Sequence, residues 1–389
     1  MKITKLTFAT AVLSGFLSTQ ALADVKIGFT GPLSGPAALI GEDQYDGLML
    51  AIDRLNGKLG GEPATVIKED DQLKPEVGLQ IMRKLISKDN VDVLVGLGYT
   101  NVLMATMPVI TESGKVAIAT NSGPRALSGA GCQPRFFSVA HQNDGPSEYM
   151  GIYANEKHYK RVFLMAPNYQ AGKEMMEGFK RYYKGEIAGE IYTPLTQMDF
   201  SAEISEIQFS KADAMFFFMT GGSGINLVKQ MRQSGVLAKV PTMSVFSIDA
   251  TTLPALKALA DGAVTGTKWS ATLDIPANKE FVAAFEAKYK RPASMYAAAG
   301  YDAGNLLNVA IKKVNGNLSN QEAFAKAVKE AGSEFKSVRG YFAFNNNHMP
   351  IQNYYAFKVV ADGDDVHMQQ IGTPLKAHQD IYHTECPLK

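Results

Sequence analysis

Residues 91–120, VDVLVGLGYTNVLMATMPVITESGKVAIAT, decide the fold. Val91 to Val95 is a short, almost wholly apolar run of the kind that forms a strand buried on both faces. Asn101 to Glu112 follows as a helix, and Val116 to Ala119 returns as a second short apolar strand. Strand, covering helix and strand in this order belong to a parallel sheet with helices on its faces.

The same alternation continues outward. Toward the N-terminus, Val25 to Thr30 reads as a strand, and the turn Gly31-Pro32-Leu33-Ser34-Gly35-Pro36 leads into a helix with Leu48, Ala51, Ile52 and Leu55 at helical spacing. Ala64 to Glu69 is then a strand and Glu76 to Lys88 a helix. A second series starts near Asp144. Its helices are Ser147 to Tyr159, Gly172 to Tyr183 and Gly224 to Ser234, and its strands are Arg161 to Ala166, Glu186 to Tyr192, Ala214 to Met219 and Thr242 to Val245. Helical stretches at Asn278 to Tyr289 and Ala298 to Val314 bring no strand series of their own and are assigned back to the first unit. Strands Tyr354 to Val360 and His367 to Ile371 finish the second.

The expected fold is α/β, with two doubly wound Rossmann-like lobes joined by a three-crossing hinge near Val139 to Gln142, Trp269 to Leu273 and Phe344 to Pro350. Lobe 1 comprises residues 24–140 plus 272–345, and lobe 2 residues 141–271 plus 346–389. Such lobes bind ligands in the cleft where the carboxyl ends of their strands face each other. A hinge of several strands allows closure without separation.

Residues 1–23 combine Lys2 and Lys5, an apolar run from Leu6 to Leu17, and Ala21-Leu22-Ala23. This is the pattern of an export signal cleaved after Ala23, which places the working chain outside the cytoplasm. Of 39 basic residues, loss of Lys2 and Lys5 leaves a chain nearly balanced against 38 acids. That balance argues against a nucleic acid partner. The two cysteines, Cys132 and Cys386, suggest one disulfide in an oxidising compartment. His378 and His383 beside Cys386 loosely resemble a metal cluster, but the second tightly spaced ligand pair of a structural zinc site is missing. No metal and no cofactor are expected.

Small polar loops follow the predicted strands. Gly96-Leu97-Gly98-Tyr99-Thr100-Asn101 precedes a helix whose first N–H groups offer a seat for a carboxylate, with Thr100 reading equally as an N-cap. Thr120-Asn121-Ser122-Gly123-Pro124 adds hydroxyl and amide donors, and nearby Arg125 reads as solvated. The second lobe offers Asn168-Tyr169-Gln170, Thr220-Gly221-Gly222-Ser223-Gly224 and Phe246-Ser247-Ile248-Asp249. Tyr169 and Phe246 provide flat apolar surface or ordinary packing. The glycine run has neither the P-loop ending nor the dinucleotide spacing. Gly221 to Ile225 is not a nucleophile elbow, because Ile225 stands where a glycine is needed. The loops hold few acids or histidines, Asp249 and His141 being the main exceptions, and no catalytic set emerges.

Over essentially its whole mature length the chain resembles the periplasmic solute-binding proteins of ABC importers of the leucine/isoleucine/valine-binding type. The matching segments are Ile27 to Gly35, the helix Gly47 to Asn56, Val93 to Gly98, and Tyr296 to Asp302 before a long helix. The resemblance implies two Rossmann-like lobes that close on a ligand and present it, transiently, to an inner-membrane permease, the binding protein being a periplasmic monomer. It also implies that the loops Gly98 to Asn101 and Asn121 to Gly123 hold a ligand carboxylate and that Tyr169 lines the site. In the amino-acid binders an acid in the loop corresponding to Ser247 to Asp249 pairs with the ligand ammonium. Here Ser247 or Ile248 aligns with it, and Asp249 fits only after a shift of one or two. An unpaired buried ammonium is costly, so the departure selects against amino acids.

The segment from Ser337 to Gln352 is similar to a branch associated with aromatic and related organic acids. Tyr99, Tyr169, Phe246 and Trp269 would line a flat pocket for a ring bearing a carboxylate. The expected ligand-binding set is Ile40, Tyr99, Thr100, Asn121, Ser122, Tyr169, Phe246, Ser247, Ile248 and Asp249. The expected function is capture of a small carboxylate, an aromatic acid such as a benzoate or cinnamate, for import. The alternatives are a branched-chain amino acid held by Asp249, a sensory module for a membrane receptor, and an exported hydrolase with a catalytic group not seen in the sequence.

Overall fold

The computed structural model describes residues 24–363 and 365–388, so the expected export signal lies outside the described residues. Two sheets organise the chain. The first runs, edge to edge, Lys58–Leu59, Glu62–Asp70, Val25–Gly31, Val93–Gly96, Val116–Ala119 and Phe136–Ser138. All its neighbours are parallel except the short hairpin between Lys58–Leu59 and Glu62–Asp70. The second runs Phe342–Phe344, Pro350–Asp362, Val264–Thr267, Thr242–Val245, Ala214–Phe217, Arg161–Pro167 and Glu186–Thr193, with Asp365–His378 also pairing Pro350–Asp362. Its Val264 to Thr193 portion is parallel and its C-terminal strands are antiparallel. These are two doubly wound α/β lobes.

The central strands of both lobes read correctly from sequence because they are continuous apolar runs. Phe136–Ser138 is too short for such a run, and Val264–Thr267 carries Gly266 and two threonines, so neither stands out. Their pairing partners make them strands. The C-terminal hairpin, Pro350–Asp362 with Asp365–His378, is longer than expected. Phe342–Phe344 is divided in its loyalties: its backbone pairs with Phe344↔Pro350 to Phe342↔Gln352 in the second sheet, whereas Phe342 and Phe344 pack their rings into the core of the first lobe.

Two of the segments that carried the resemblance have a packing reason. Helices Ala38–Arg54 and Met295–Lys313 cross so closely that a Cβ on Gly47 would lie 2.0 Å from the Ala297 carbonyl, and one on Gly300 2.0 Å from that of Gln44. Backbones meeting at this distance admit only glycine. Cys132 and Cys386 form a disulfide with Cα atoms 5.8 Å apart, tying the C-terminal turn to the first lobe. The nearby histidines have other partners: His378 bonds Glu148 and His383 bonds the Asp380 carbonyl.

A buried arginine links the first crossing to the C-terminal strands. Arg339, 1% exposed, donates from Nε to Asp302 Oδ2 at 3.0 Å and from Nη1 to the Ala140 carbonyl at 3.0 Å and Gln352 Oε1 at 2.9 Å. One buried guanidinium therefore ties together the first crossing, the strand Pro350–Asp362 that follows the third, and the helix Met295–Lys313. A buried pair of this kind contributes geometry more than stability.

Candidate functional site

Strand ends from both sheets open onto one cavity with about 310 Å³ of unfilled space. The first lobe supplies Gly98, Tyr99, Thr100, Asn121 and Tyr296, and the second supplies Tyr169, Ala171, Met175, Phe218, Thr220 and Phe246. His141 and Asn143, on the first crossing, complete the wall. Among the described residues no Asp, Glu, Lys or Arg lies on it.

The backbone is bent to make this wall. Gly96 has φ 105, and a Cβ there would stand 2.1 Å from the Thr30 carbonyl; Leu97 follows at φ 51. Phe246, at φ 55, holds a conformation that a bulky side chain rarely adopts. These strained residues turn the chain so that Tyr99 and Phe246 face the cavity.

Three helices begin at the cavity: Thr100–Ser113 after Tyr99, Gln170–Tyr182 after Tyr169, and Gly221–Gln233 after Thr220. None has a side chain bonded to its first N–H groups. Their unpaired donors and positive dipole ends converge on one small space, which favours an anion there. Thr100 is inside the helix rather than its cap, and its hydroxyl accepts from Asn143 Nδ2 at 3.2 Å. Asn143 also accepts from Gly123 N at 3.0 Å and donates to Glu174 Oε2 at 2.7 Å, so it braces the loops of both lobes.

The walls are aromatic. Tyr169 stacks on Phe218 with centroids 6.3 Å apart, Phe218 meets Phe246 edge-on, and the His141 ring lies 4.8 Å from Phe246. Burial raises Tyr99 to about 12 and holds Tyr169 and Tyr296 well above the usual phenol range, so all three remain neutral donors.

Of the expected set, Tyr99, Thr100, Asn121, Tyr169 and Phe246 come together on this wall. Asn121 also donates to the Gly98 carbonyl at 3.0 Å, shaping the loop beside it. Ser122 and Ser247 are spent on structure: Ser122 donates to the Leu97 carbonyl, and Ser247 accepts from Met219 N while donating to Val245 O. Ile40 is packed in the core against the cleft. Ile248 and Asp249 line a neighbouring cavity of about 620 Å³ together with Trp269, which is therefore not on the main wall. Asp249 Oδ1 accepts from Thr251 and Thr252, and its buried carboxylate faces the Tyr296 hydroxyl, whose phenol it helps to hold neutral. Arg125 stacks on Tyr382 and pairs with Asp144 at 3.4 Å. His141 stands out in the sequence only as one of the few titratable residues near the loops; Asn143 and Phe218 lie beside a crossing and a strand end, and Met175 lies inside helix Gln170–Tyr182, where nothing in the sequence marks it.

Two lobes closed over a buried cavity at their strand ends define a ligand-binding protein of the hinged, two-lobed class. The chain belongs to the periplasmic binding protein family, whose model matches residues 24–364. It is similar to the Leu/Ile/Val-binding protein homolog 6 of Brucella melitensis, 27% identical over 370 residues, 92% of this chain and 93% of that one. Among solved structures it is similar to an ABC-transporter solute-binding protein from R. palustris in complex with benzoate, at 29% identity and TM-score 0.86, covering 92% of this chain and 99% of that one. A solute-binding protein from Rhodopseudomonas palustris BisB5 in complex with 3,4-dihydroxybenzoic acid gives 26% identity and TM-score 0.85, with 92% and 99% covered.

Proposed function

We propose that this chain, exported and processed after Ala23, captures a small aromatic carboxylate of the benzoate or cinnamate type and delivers it to an ABC permease. The observation that carries the reading is the convergence of three uncapped helix N-termini on a cavity walled by Tyr99, Tyr169, Phe218, Phe246 and Tyr296, with no acidic side chain on the wall. Donors and dipoles of this sign suit a carboxylate, aromatic faces suit a ring, and an ammonium has no counter-charge. The complexes of structural neighbours with benzoate and dihydroxybenzoate support the same class.

A branched-chain amino acid is the second reading, favoured by the buried Asp249 carboxylate beside cavity-lining Tyr296 and by the Leu/Ile/Val-binding relatives. A thermal-shift screen of the chain from Asp24, stripped of co-purified ligand, separates the two. Stabilisation by benzoates and not by leucine, unaffected by Asp249→Asn, supports the aromatic acid. Stabilisation by leucine that Asp249→Asn abolishes overturns it.

A further inference from the structure

Three basic residues lie buried at or near the crossings: His141 on the first, Lys268 just before the second, and Arg339 in the loop ahead of strand Phe342–Phe344 that leads to the third. Arg339 has its acid, Asp302. Lys268 does not. It is 0% exposed, its Nζ lies 2.9 Å from His141 Nδ1 and 5.6 Å from the centre of the Phe246 ring, and among the described residues no carboxylate comes within 4.0 Å of it. A buried ammonium with no counter-charge is a costly arrangement that needs an explanation.

His141 connects this lysine to the cavity. Once Lys268 is an ammonium it has only donors, so Nδ1 must then accept from it and the imidazole proton must sit on Nε2. His141 lines the cavity, and Nε2 has no protein partner among the described residues. The remaining polar side chains on the wall, from Thr100, Asn121, Asn143, Thr220 and the three tyrosines, are neutral.

We propose that Lys268 and His141 form a relay that reads the ligand's carboxylate, His141 Nε2–H donating to a carboxylate oxygen while Lys268 behind it supplies the compensating positive charge. This rests on the reading of the ligand as an acid and assigns the acid its counter-ion. Without an anion, burial and then the Arg339 charge hold Lys268 well below the ordinary lysine range, with Asp302 pulling weakly the other way. Burial and the Lys268 and Arg339 charges likewise hold His141 well below its usual value. An anion in the cavity supplies what the pair lacks, so Lys268 is drawn to its ammonium form and the complex takes up a proton from solvent.

Calorimetric titration of the chain from Asp24 with benzoate, 4-hydroxybenzoate and L-leucine, in buffers of different ionisation enthalpy, tests this. We expect net proton uptake on benzoate binding, with affinity falling as the pH rises toward the ordinary lysine range. Lys268→Met should lose roughly tenfold or more in benzoate affinity together with the uptake and the pH dependence. A folded Lys268→Met protein with wild-type affinity and pH profile, or a wild-type protein that takes up no proton, overturns the relay while leaving the aromatic-acid reading intact. If leucine binds and benzoate does not, the aromatic reading falls, and the proton count with leucine still judges the relay. Should the variant not fold, nitrogen NMR of the wild-type benzoate complex decides: His141 should show the Nε2–H tautomer, and an Nδ1–H tautomer overturns the proposal.

Discussion

Tyr99 Oη and Thr220 Oγ1 lie 3.1 Å apart and join the two lobes directly over the cavity. Tyr99 ends the loop after the first-lobe strand Val93–Gly96, and Thr220 ends the loop after the second-lobe strand Ala214–Phe217. Pro36 of the first lobe also packs on Gly221 and Gly222 of the second. The structure is thus the shut form, whose stability over the open form adds to apparent affinity.

The bond makes a direct prediction. Tyr99→Phe and Thr220→Val should each lower ligand affinity by roughly fivefold, equivalent to about 1 kcal/mol for one hydrogen bond. Because both remove the same bond, the double variant should lose little more than either single. Full additivity, measured by calorimetry, would show that the hydroxyls act separately on the ligand rather than on each other.

Gly221 tests closure without altering a polar group. Its φ is +57, and a Cβ there would stand 2.5 Å from the Pro36 carbonyl, so Gly221→Ala strains its own helix start and also holds the lobes apart. Gly235, at φ +76 with open space around it, suffers only the strain. Both alanine variants should lose about 1 kcal/mol of stability. Only Gly221→Ala should weaken binding, by roughly tenfold, and reduce ligand-induced contraction in small-angle scattering. Equal binding by the two variants would mean that the Pro36 contact yields on closure.

How much of this was legible in the sequence depends on the source of each feature. Val93 to Val95 and Ala214 to Phe217 are buried on both faces, so composition alone marks them as central strands. Tyr99 and Thr100 follow Val93–Gly96, Asn121 follows Val116–Ala119 and Tyr169 follows Arg161–Pro167, and position at a strand end was enough to single them out. Val264–Thr267 owes its strand conformation to Thr242–Val245 and Pro350–Asp362 on either side, which lie far away in the chain. His141 and Lys268 are isolated residues in unremarkable stretches, and only the meeting of two crossings makes them a pair. Ser122 and Ser247 show the opposite failure, since a serine at a strand end reads the same whether its hydroxyl faces the cavity or a loop carbonyl.

The disulfide predicts a difference between stability and binding. Cys132–Cys386 closes a separation of 254 residues and anchors the turn that carries Tyr382, whose hydroxyl donates to buried Asp144 at 2.5 Å. Replacing both cysteines with serine should cost roughly 2–5 kcal/mol of folding stability, seen as a lower Tm that reductant no longer shifts. Ligand affinity should change far less, because neither cysteine lines the cavity. A large loss of affinity in a folded variant would tie the C-terminal turn to lobe closure.

His348 should set part of the acid limit of the fold. It is 5% exposed, stacked on Phe137 with ring centroids 4.1 Å apart, and bonded through Nδ1 to the Phe136 carbonyl at 3.2 Å. Burial, and then the Lys329 charge, lower it from 6.5 to about 4. A base whose folded value is depressed contributes stability that is complete above its unfolded value and is lost as the pH falls through the folded one. The window is therefore from about pH 6.5 down to about pH 4, and the shift corresponds to at most about 3 kcal/mol. Asp43 and Asp71 act in the opposite sense, because burial raises each from 3.8 to about 6 and acidification through that range favours the fold. The net curve mixes these contributions, and a variant isolates the histidine. His348 sits at φ 62, which asparagine tolerates, so His348→Asn preserves the turn while removing the titrating ring. The variant should be less stable than wild type at neutral pH, having lost the stack on Phe137. The gap should narrow steadily below about pH 6.5 in denaturant titrations, since only the wild type must then charge a buried imidazole. A gap that stays constant down to about pH 4 would mean that His348 is free to protonate in the folded chain, and the acid limit would have to lie elsewhere.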